Sequence, residues 1–474
     1  FFVDCFFLKK NMRIICVAIA IAPLVRRTVA QSHPVSVIWH GPIQGGVLSG
    51  VSSETVSFLL PLAAARDVHL YHHDGFRNAS KFVASLPLHM QRGLRDMRDR
   101  NPTMDEVGRS LFRLTRRCVS VSSWDPGYYY MKLLPVLKQM TMHAMPRASA
   151  MERRRRCAVV GRLMFETSLL PRAWIPALRE LDEIWVPSTF MREIVERDLV
   201  EEESLTCSAA AAQSESCTAP RSAIPVRVLH EPLDTQRWFN PELHDRAAAR
   251  LHYAEKAGCP HDARIFLTVA KWERRKAMEV LLAAFDAAFA NEADHEKVCL
   301  LLRTTLPHGV ELQRLRSVSA HQPVVATVPP QPGLNYSSLF AASDCFVLAS
   351  HGEGWGRTLV EGMAMGLLVI GTDWGGATEF LTARNSLPLP VRSLESAATG
   401  GGGVDDVFDR QDSGRWATID QRELQARLRR VLEMSAAERL ELMRNARADA
   451  TKYDNAAVGE ELLRLLHDVA EPKE

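Results

Sequence analysis

Residues 349–380 read ASHGEGWGRTLVEGMAMGLLVIGTDWGGATEF, and the order of residue types in this stretch decides the architecture. The apolar run 345–350 before it has the character of a buried strand. It ends in a loop carrying Gly352, Gly354 and Gly356, and an amphipathic helix follows from Arg357 to about Met365. Gly366 ends that helix, a second apolar run (LLVIGTD) follows, and a second glycine turn lies at Asp373-Trp374-Gly375-Gly376. Strand, glycine loop, helix and strand in short succession form a parallel α/β unit, in which ligands bind beyond the carboxyl ends of the strands. Glycines there let backbone approach a ligand and present N–H groups. The helix start adds a partial positive charge suited to a phosphate. Glu353 in the loop and Glu361 on the helix supply two carboxylates to the same place.

The alternation extends outward in both directions. VSVIWHG, DVHLYHHD, LFRLTRRCVSVSS, CAVVGRLMFE, ELDEIWVPS, PVRVLHE, RIFLTVAK, KVCLLLRT and QPVVATV read as further strands. Helical patterns fall between them, at 52–65 with Ser52 or Ser53 as N-cap, from Ser188, and at 277–291. The fold class is therefore α/β, with two units of similar size joined near residue 225. Residues 201–223 (EEESLTCSAAAAQSESCTAPRSA) read as a low-complexity surface loop inserted in the first unit, and 396–406 as a second soft segment. The expected organisation is a leader at 1–32, a first domain at 33–225, a second at 226–450, and a C-terminal helix at 451–474.

Composition narrows the function classes. The chain has 474 residues, 46% apolar and 24% charged, which excludes a disordered tail and a single small domain. Lys+Arg 58 against Asp+Glu 56 leaves a net charge of +2, so no chain-wide basic field points to nucleic acid. A mean hydropathy of −0.11 excludes a polytopic membrane protein. Met12, Arg13 and the apolar run 14–25 resemble a signal peptide, with Thr28-Val29-Ala30 as a cleavage site and two sequons, at Asn78 and Asn335. Arg26 and Arg27 oppose that reading, so the secretory pathway, with membrane association through the N-terminus, and the cytoplasm stand side by side. The nine cysteines show no C-x-x-C pair and read as free thiols, with Cys207 and Cys217 as the pair that could form in an oxidising compartment. Arg153–Arg156 reads as a solvated edge and Tyr128–Tyr130 as packing.

The opening stretch resembles the retaining nucleotide-sugar glycosyltransferases of GT-B fold, group 1 (family 4). Their signature E-G-(F/W)-G-x4-E-(A/G)-M-A-x-G, with a later G-G-x-x-E turn, stands here as Glu353-Gly354-Trp355-Gly356, Glu361-Gly362-Met363-Ala364-Met365-Gly366 and Gly375-Gly376-Ala377-Thr378-Glu379. The family's G-R-x4-K-G after a strand appears as TVAKWERRKAMEVLLAAF, with Lys271 at the Arg position and Lys276 at the Lys position. Two cations five residues apart can bracket a diphosphate, and Arg274 and Arg275 make the segment basic in any case. HEPLDTQRWFNP, RLMFETSLLPRAW and DEIWVPSTF follow the family's order.

The resemblance implies two Rossmann-like domains facing each other across a cleft, with the C-terminal helix packing back on the first. It implies transfer of a sugar from a nucleoside-diphosphate sugar to an alcohol on a glycan, lipid or protein acceptor, with retention, no cofactor and no metal. Glu361 would bind the donor ribose. Glu353 would face the sugar, with backbone of Gly354, Trp355 and Gly356. Arg357, Thr358 and Leu359 would open the diphosphate site, and Gly45 and Gly46 would face it from the first domain. The His that many relatives carry after a strand of the first domain is missing from Ser122–Gly127, which leaves Asp125 and His40 as the candidates near sugar and acceptor. Ala277 stands where the family has Gly, which requires φ < 0 there. A GT-B epimerase and a glycosyltransferase-like binding subunit are the competing readings.

Overall fold

The strands of the second unit are apolar throughout because both faces are covered. In RIFLTV, Ile265, Phe266 and Leu267 are all fully buried, as are Leu300–Leu302 of the next strand. The computed structural model describes residues 35–40, 50–65, 68–72, 86–100, 118–122, 158–212, 224–255, 257–260, 262–304, 324–327, 336–398 and 414–471. The leader, Gly45, Gly46, Asp125, Tyr128–Tyr130, Arg153–Arg156 and both sequon asparagines lie outside the described residues.

Among the described residues two six-stranded sheets are formed, and every pairing within them is parallel. The first holds β1 (Val35–His40), β2 (Val68–His72), β3 (Cys118–Ser122), β4 (Ala158–Arg162), β5 (Glu183–Val186) and β6 (Val226–Val228), in the order β2-β1-β3-β4-β5-β6. The second holds β7 (Arg264–Val269), β8 (Val298–Arg303), β9 (Val324–Thr327), β10 (Cys345–Leu348), β11 (Leu368–Thr372) and β12 (Leu387–Leu389), in the order β12-β11-β10-β7-β8-β9. From β7 the chain winds outward through β8 and β9, then returns to the centre at β10 and winds the other way. The winding therefore reverses between β7 and β10, and the loops after these two strands diverge around a ready crevice. The corresponding reversal in the first sheet lies between β1 and β3. A short antiparallel pair, β13 (Leu394–Ser396) and β14 (Arg415–Ala417), lies beside the second sheet.

The longer helices are α1 (Gly50–Ala64), α2 (Leu88–Arg100), α3 (Thr189–Ala212), α4 (Met278–Ala288), α5 (Tyr336–Ala341), α6 (Arg357–Ala364), α7 (Gln421–Glu433), α8 (Ala436–Ala450) and α9 (Asn455–Ala470). No helix among the described residues is long and apolar enough to cross a membrane. The last helix does cross back: Leu462, Leu465 and Leu466 of α9 are buried in the core that holds Val35, Val37, Trp39 and α1. A Cβ on Gly459 of α9 would stand 2.9 Å from the Pro61 ring of α1, so the two helices meet closely. Helix α6 ends as Gly366 requires, with φ +68 there, the Gly366 N–H on the Met363 carbonyl and the Leu367 N–H on Gly362.

Several sequence expectations change. The segment 201–223 is not a loop throughout, because α3 runs on to Ala212; its Glu and Ala residues are helix formers. Helix α1 starts at Gly50, so Ser52 and Ser53 lie inside it rather than capping it. The break near 225 cuts off a strand that the first sheet retains, since β6 pairs with β5. Cys259 and Cys299 form a disulfide with Cα atoms 5.6 Å apart, while Cys345 is a buried free thiol. The pair is 40 residues apart in sequence and meets because β8 lies beside the turn that enters β7, which spacing alone does not reveal.

Ala277 is also a correction. It adopts φ 48, ψ 40, and among the described residues no other non-glycine has positive φ. The left-handed geometry links the turn Arg274–Lys276 directly into α4. Replacing Ala277 with Gly relieves the Cβ strain, offset in part by the freer unfolded chain. Ala277→Gly is therefore expected to raise unfolding free energy by about 0.5–1 kcal/mol in urea melts.

Candidate active site at the strand crossover

The loops leaving β7 and β10 face each other across the point where the winding reverses. The turn after β7 places Arg274, Arg275 and Lys276 in one short helical turn, and the loop after β10 carries His351 to Gly356. A backbone bond from the His351 N–H to the Arg275 carbonyl, 2.7 Å, ties the two loops together. Lys276 Nζ then lies 2.6 Å from Glu353 Oε1, and Arg275 Nη1 lies 3.2 Å from Glu353 Oε2. Burial works to raise the Glu353 carboxyl, but Lys276 and Arg275 together outweigh it and hold the group below its ordinary range. Glu353 is thus an ionised carboxylate with both oxygens held.

Arg275 was read in the sequence only as part of a basic turn. In the structure it bridges three carboxylates. Besides Glu353 it meets Glu273 at 3.0 Å and Glu166 at 3.4 Å, and it donates to the Gly352 carbonyl at 2.8 Å. Burial would lower its pKa, but Glu166, Glu353 and Glu273 raise it instead. Lys271, by contrast, is exposed at the end of β7 and makes no ion pair among the described residues. The two lysines are therefore not equivalent: one is locked to a carboxylate and one is free at the rim.

A second buried charge group lies at the start of α6. Arg357 Nε lies 3.3 Å from Glu361 Oε1, one turn on, and its Nη1 lies 3.5 Å from Glu231 Oε2. It also donates to the Pro232 carbonyl at 3.1 Å and to Ser57 Oγ of α1 at 3.5 Å, so it joins both domains and the segment between them. Tyr336, opening α5, donates its hydroxyl to Glu361 at 2.9 Å. In the first domain Arg162 binds Glu54 at 2.6 Å. Glu54, Glu231 and Glu361 are three carboxylates against two guanidinium groups, all largely buried, so one extra proton neutralises the group. It settles on the carboxylates least served by the arginines. Burial pushes Glu361 up to about 7 despite Arg357 and Tyr336. Burial, with the neighbouring Glu54 charge, pushes Glu231 up to about 8.

The glycines of the loop do something other than admit a ligand. A Cβ on Gly352 would stand 2.3 Å from the Glu166 carbonyl oxygen, and one on Gly354 would stand 2.8 Å from that of Phe165. A Cβ on Gly376 would fall 1.9 Å from the Gly354 oxygen, and the Gly376 N–H donates to the Glu353 carbonyl at 2.7 Å. The loop is therefore pressed between the second glycine turn and residues 164–166 of the first domain. Ser188 Oγ donates to the Gly354 carbonyl at 3.1 Å, and Glu379 accepts from the Thr189 N–H at 2.8 Å, across the same seam.

Trp355 points away from the crevice. Its ring is buried against His230, Phe380 and Tyr453, with centroids 4.9–5.3 Å away, so the residue can offer a ligand only its backbone. Gly356 takes φ +99 and opens α6; Thr358 is half-buried in the first turn and Leu359 packs in the core. His40 ends β1, beside Ser122 of β3, at the reversal in the first sheet. The residues that the sequence reading missed, Glu166, Glu231 and Tyr336, belong to no glycine motif, and Arg275 stands at a position that the G-R-x4-K-G motif leaves open. For Glu166 the available signal was a carboxylate just past the end of a strand.

Residues 263–400 match the family model described as "Glycosyl transferases group 1". Over that stretch the chain is similar to group 1 glycosyl transferases. It is similar to a D-inositol 3-phosphate glycosyltransferase of Actinosynnema mirum, 28% identical over 214 residues, which are 44% of this chain and 47% of that protein. The chain thus spans about half the length of that curated relative. Among solved structures, a glycosyltransferase of Rickettsia africae covers 93% of this chain and 100% of its own, with 12% identity and a TM-score of 0.61. The Anabaena HepE protein in complex with UDP and glucose covers 92% and 100%, with 14% identity and a TM-score of 0.55. These likenesses establish the fold as GT-B, two Rossmann-like domains across a cleft, and the family match falls within its C-terminal half.

The raised carboxyls have a measurable consequence. In the unfolded chain Glu231 and Glu361 lose their protons near 4.5, whereas the fold holds them to about 8 and about 7. Folding therefore takes up protons in that window, and this contribution to stability is full below 4.5 and lost as pH climbs through 7 and 8. Melts of wild type and Glu231→Gln across that window should diverge, with the variant increasingly the more stable as pH rises.

Proposed function

We propose that the chain moves a sugar from a nucleoside-diphosphate sugar to an alcohol acceptor, with retention of configuration and without a metal. The observation that carries this reading is the Lys276–Glu353 pair at 2.6 Å, set at the strand crossover, which joins two family signatures within the matched residues 263–400. The ammonium has three N–H groups, and Glu353 takes one. The remaining two suit the oxygens of a diphosphate, with the start of α6 and exposed Lys271 as further positive ends. As the anomeric carbon–oxygen bond breaks, negative charge grows on the leaving nucleotide, and fixed cations stabilise that growth. These groups can do the work a divalent ion does elsewhere. Glu353, ionised and held at both oxygens, suits the hydroxyls of the transferred sugar and the positive charge that develops on it.

Glu361 keeps lone pairs beyond those used by Tyr336 and Arg357, and these suit the vicinal ribose hydroxyls. UDP-sugars are the donors to try first, since HepE carries UDP and glucose in its crystal. Retention rests on the likeness of the motifs to retaining enzymes.

The test is nucleotide release from a panel of UDP-, GDP- and ADP-sugars, with and without alcohol acceptors. Release from one donor class, undiminished by EDTA, is expected. Lys276→Ala should lower kcat by about a hundredfold or more. Glu361→Ala should weaken donor binding by about tenfold to a hundredfold, the worth of the two hydrogen bonds to the ribose diol. Failure to bind any nucleotide sugar at millimolar concentration would sink the reading.

A further inference from the structure

Arg275 takes its partners from both domains. Glu273, Gly352 and Glu353 belong to the second, and Glu166, in the loop after β4, to the first. We infer that Glu166 is a positioning residue: it sets the orientation of Glu353 through Arg275 when the two domains are together. The inference rests on the transfer reaction proposed above.

Glu353 is clamped between two cations, Lys276 on Oε1 and Arg275 on Oε2. Its rotation is fixed only while both remain. Arg275 is in turn held at two ends. Nη1 serves Glu353 and the Gly352 carbonyl, while Nη2 is divided between Glu273 at 3.0 Å and Glu166 at 3.4 Å. Removing Glu166 leaves Nη2 to Glu273 alone, two residues away on the same turn. The guanidinium fork is then free to turn toward Glu273 with both of its ends, as bidentate pairs prefer, and to leave Glu353 Oε2. The Glu353 carboxylate would swing about Lys276.

The backbone supports the same coupling. The Glu166 carbonyl oxygen lies 2.3 Å from where a Cβ of Gly352 would be, so its side chain reaches Arg275 only when that surface is pressed on the glycine loop. Three carboxylates share two cations here. Burial holds the Glu166 carboxyl above its ordinary value, against the pull of Arg275 and Lys276 and with the push of Glu353 and Glu273. Of Glu166 and Glu353, the weaker hold on charge thus belongs to the member from the first domain. Glu166 is placed to report domain contact to the group that faces the sugar.

The experiment is a double-mutant cycle in the full chain with Glu166→Ala, Glu166→Gln and Arg275→Lys, reading kcat, donor KM and donor affinity by calorimetry. Glu166→Ala is expected to lower kcat by about tenfold or more, the scale of a small misplacement at a reacting centre, with donor affinity changed less than about threefold. In the Arg275→Lys background the same change should cost almost nothing, because the fork that transmits it is gone. Glu166→Gln, which keeps the volume, guards against a folding defect and should retain donor binding while losing kcat. Equal kcat for wild type and both Glu166 variants, or a full additional loss in the Arg275→Lys background, overturns the inference. A wild-type protein that releases no nucleotide overturns the reaction itself, which is a separate result from an active wild type matched by Glu166→Gln.

Discussion

Everything at the site depends on how closely three stretches of backbone approach at Gly352, Gly354 and Gly376. Where a Cβ would lie, 1.9–2.8 Å away, there is already a carbonyl oxygen from another segment. Contacts of that kind cannot relax around a side chain, since what would have to move is main chain. They fix the loop after β10 between the turn after β11 and the segment after β4. Glu353 is carried on that loop, and its distance to Lys276 follows from where the loop is held. The glycines usually credited with making room for a ligand here also make room for protein.

Much of the architecture was legible in the sequence because parallel strands covered on both faces advertise themselves as apolar runs. RIFLTV and VCLLLR could hardly be anything else, and the glycine loop with Glu353 and Glu361 marked the carboxyl ends. What was illegible depends on partners distant in the chain. Arg275 looked like one more cation in a basic turn, because the residue that makes it special, Glu166, lies 109 positions earlier. The left-handed Ala277 broke the expectation drawn from its side chain, since tertiary packing holds a geometry that local preference disfavours. The Cys259–Cys299 bond and the helical half of the Glu- and Ala-rich segment were missed for opposite reasons. Spacing carries no signal for the former, and low complexity hid a good helix propensity in the latter.

Charge is distributed unevenly over the crevice. At one end Glu353 is kept ionised by two cations; at the other, burial among too few arginines pushes Glu361 up to about 7 and Glu231 up to about 8. Two carboxylates eight positions apart on one loop and helix therefore differ in protonation near neutral pH because their surroundings differ. A net charge near zero for the whole chain hides this contrast, which belongs to pairs of residues.

The return of α9 to the first domain carries a consequence for how the protein is made. Val35, Val37 and Trp39 of β1 and the apolar face of α1 are buried in the core that takes in Leu462, Leu465 and Leu466. The chain emerges from the ribosome in order, so the first sheet waits, one flank uncovered, through synthesis of the entire second domain. Its core is completed only when residues 455–470 arrive. The two halves that look separate in the finished fold are thus bound in time: the earlier one matures last.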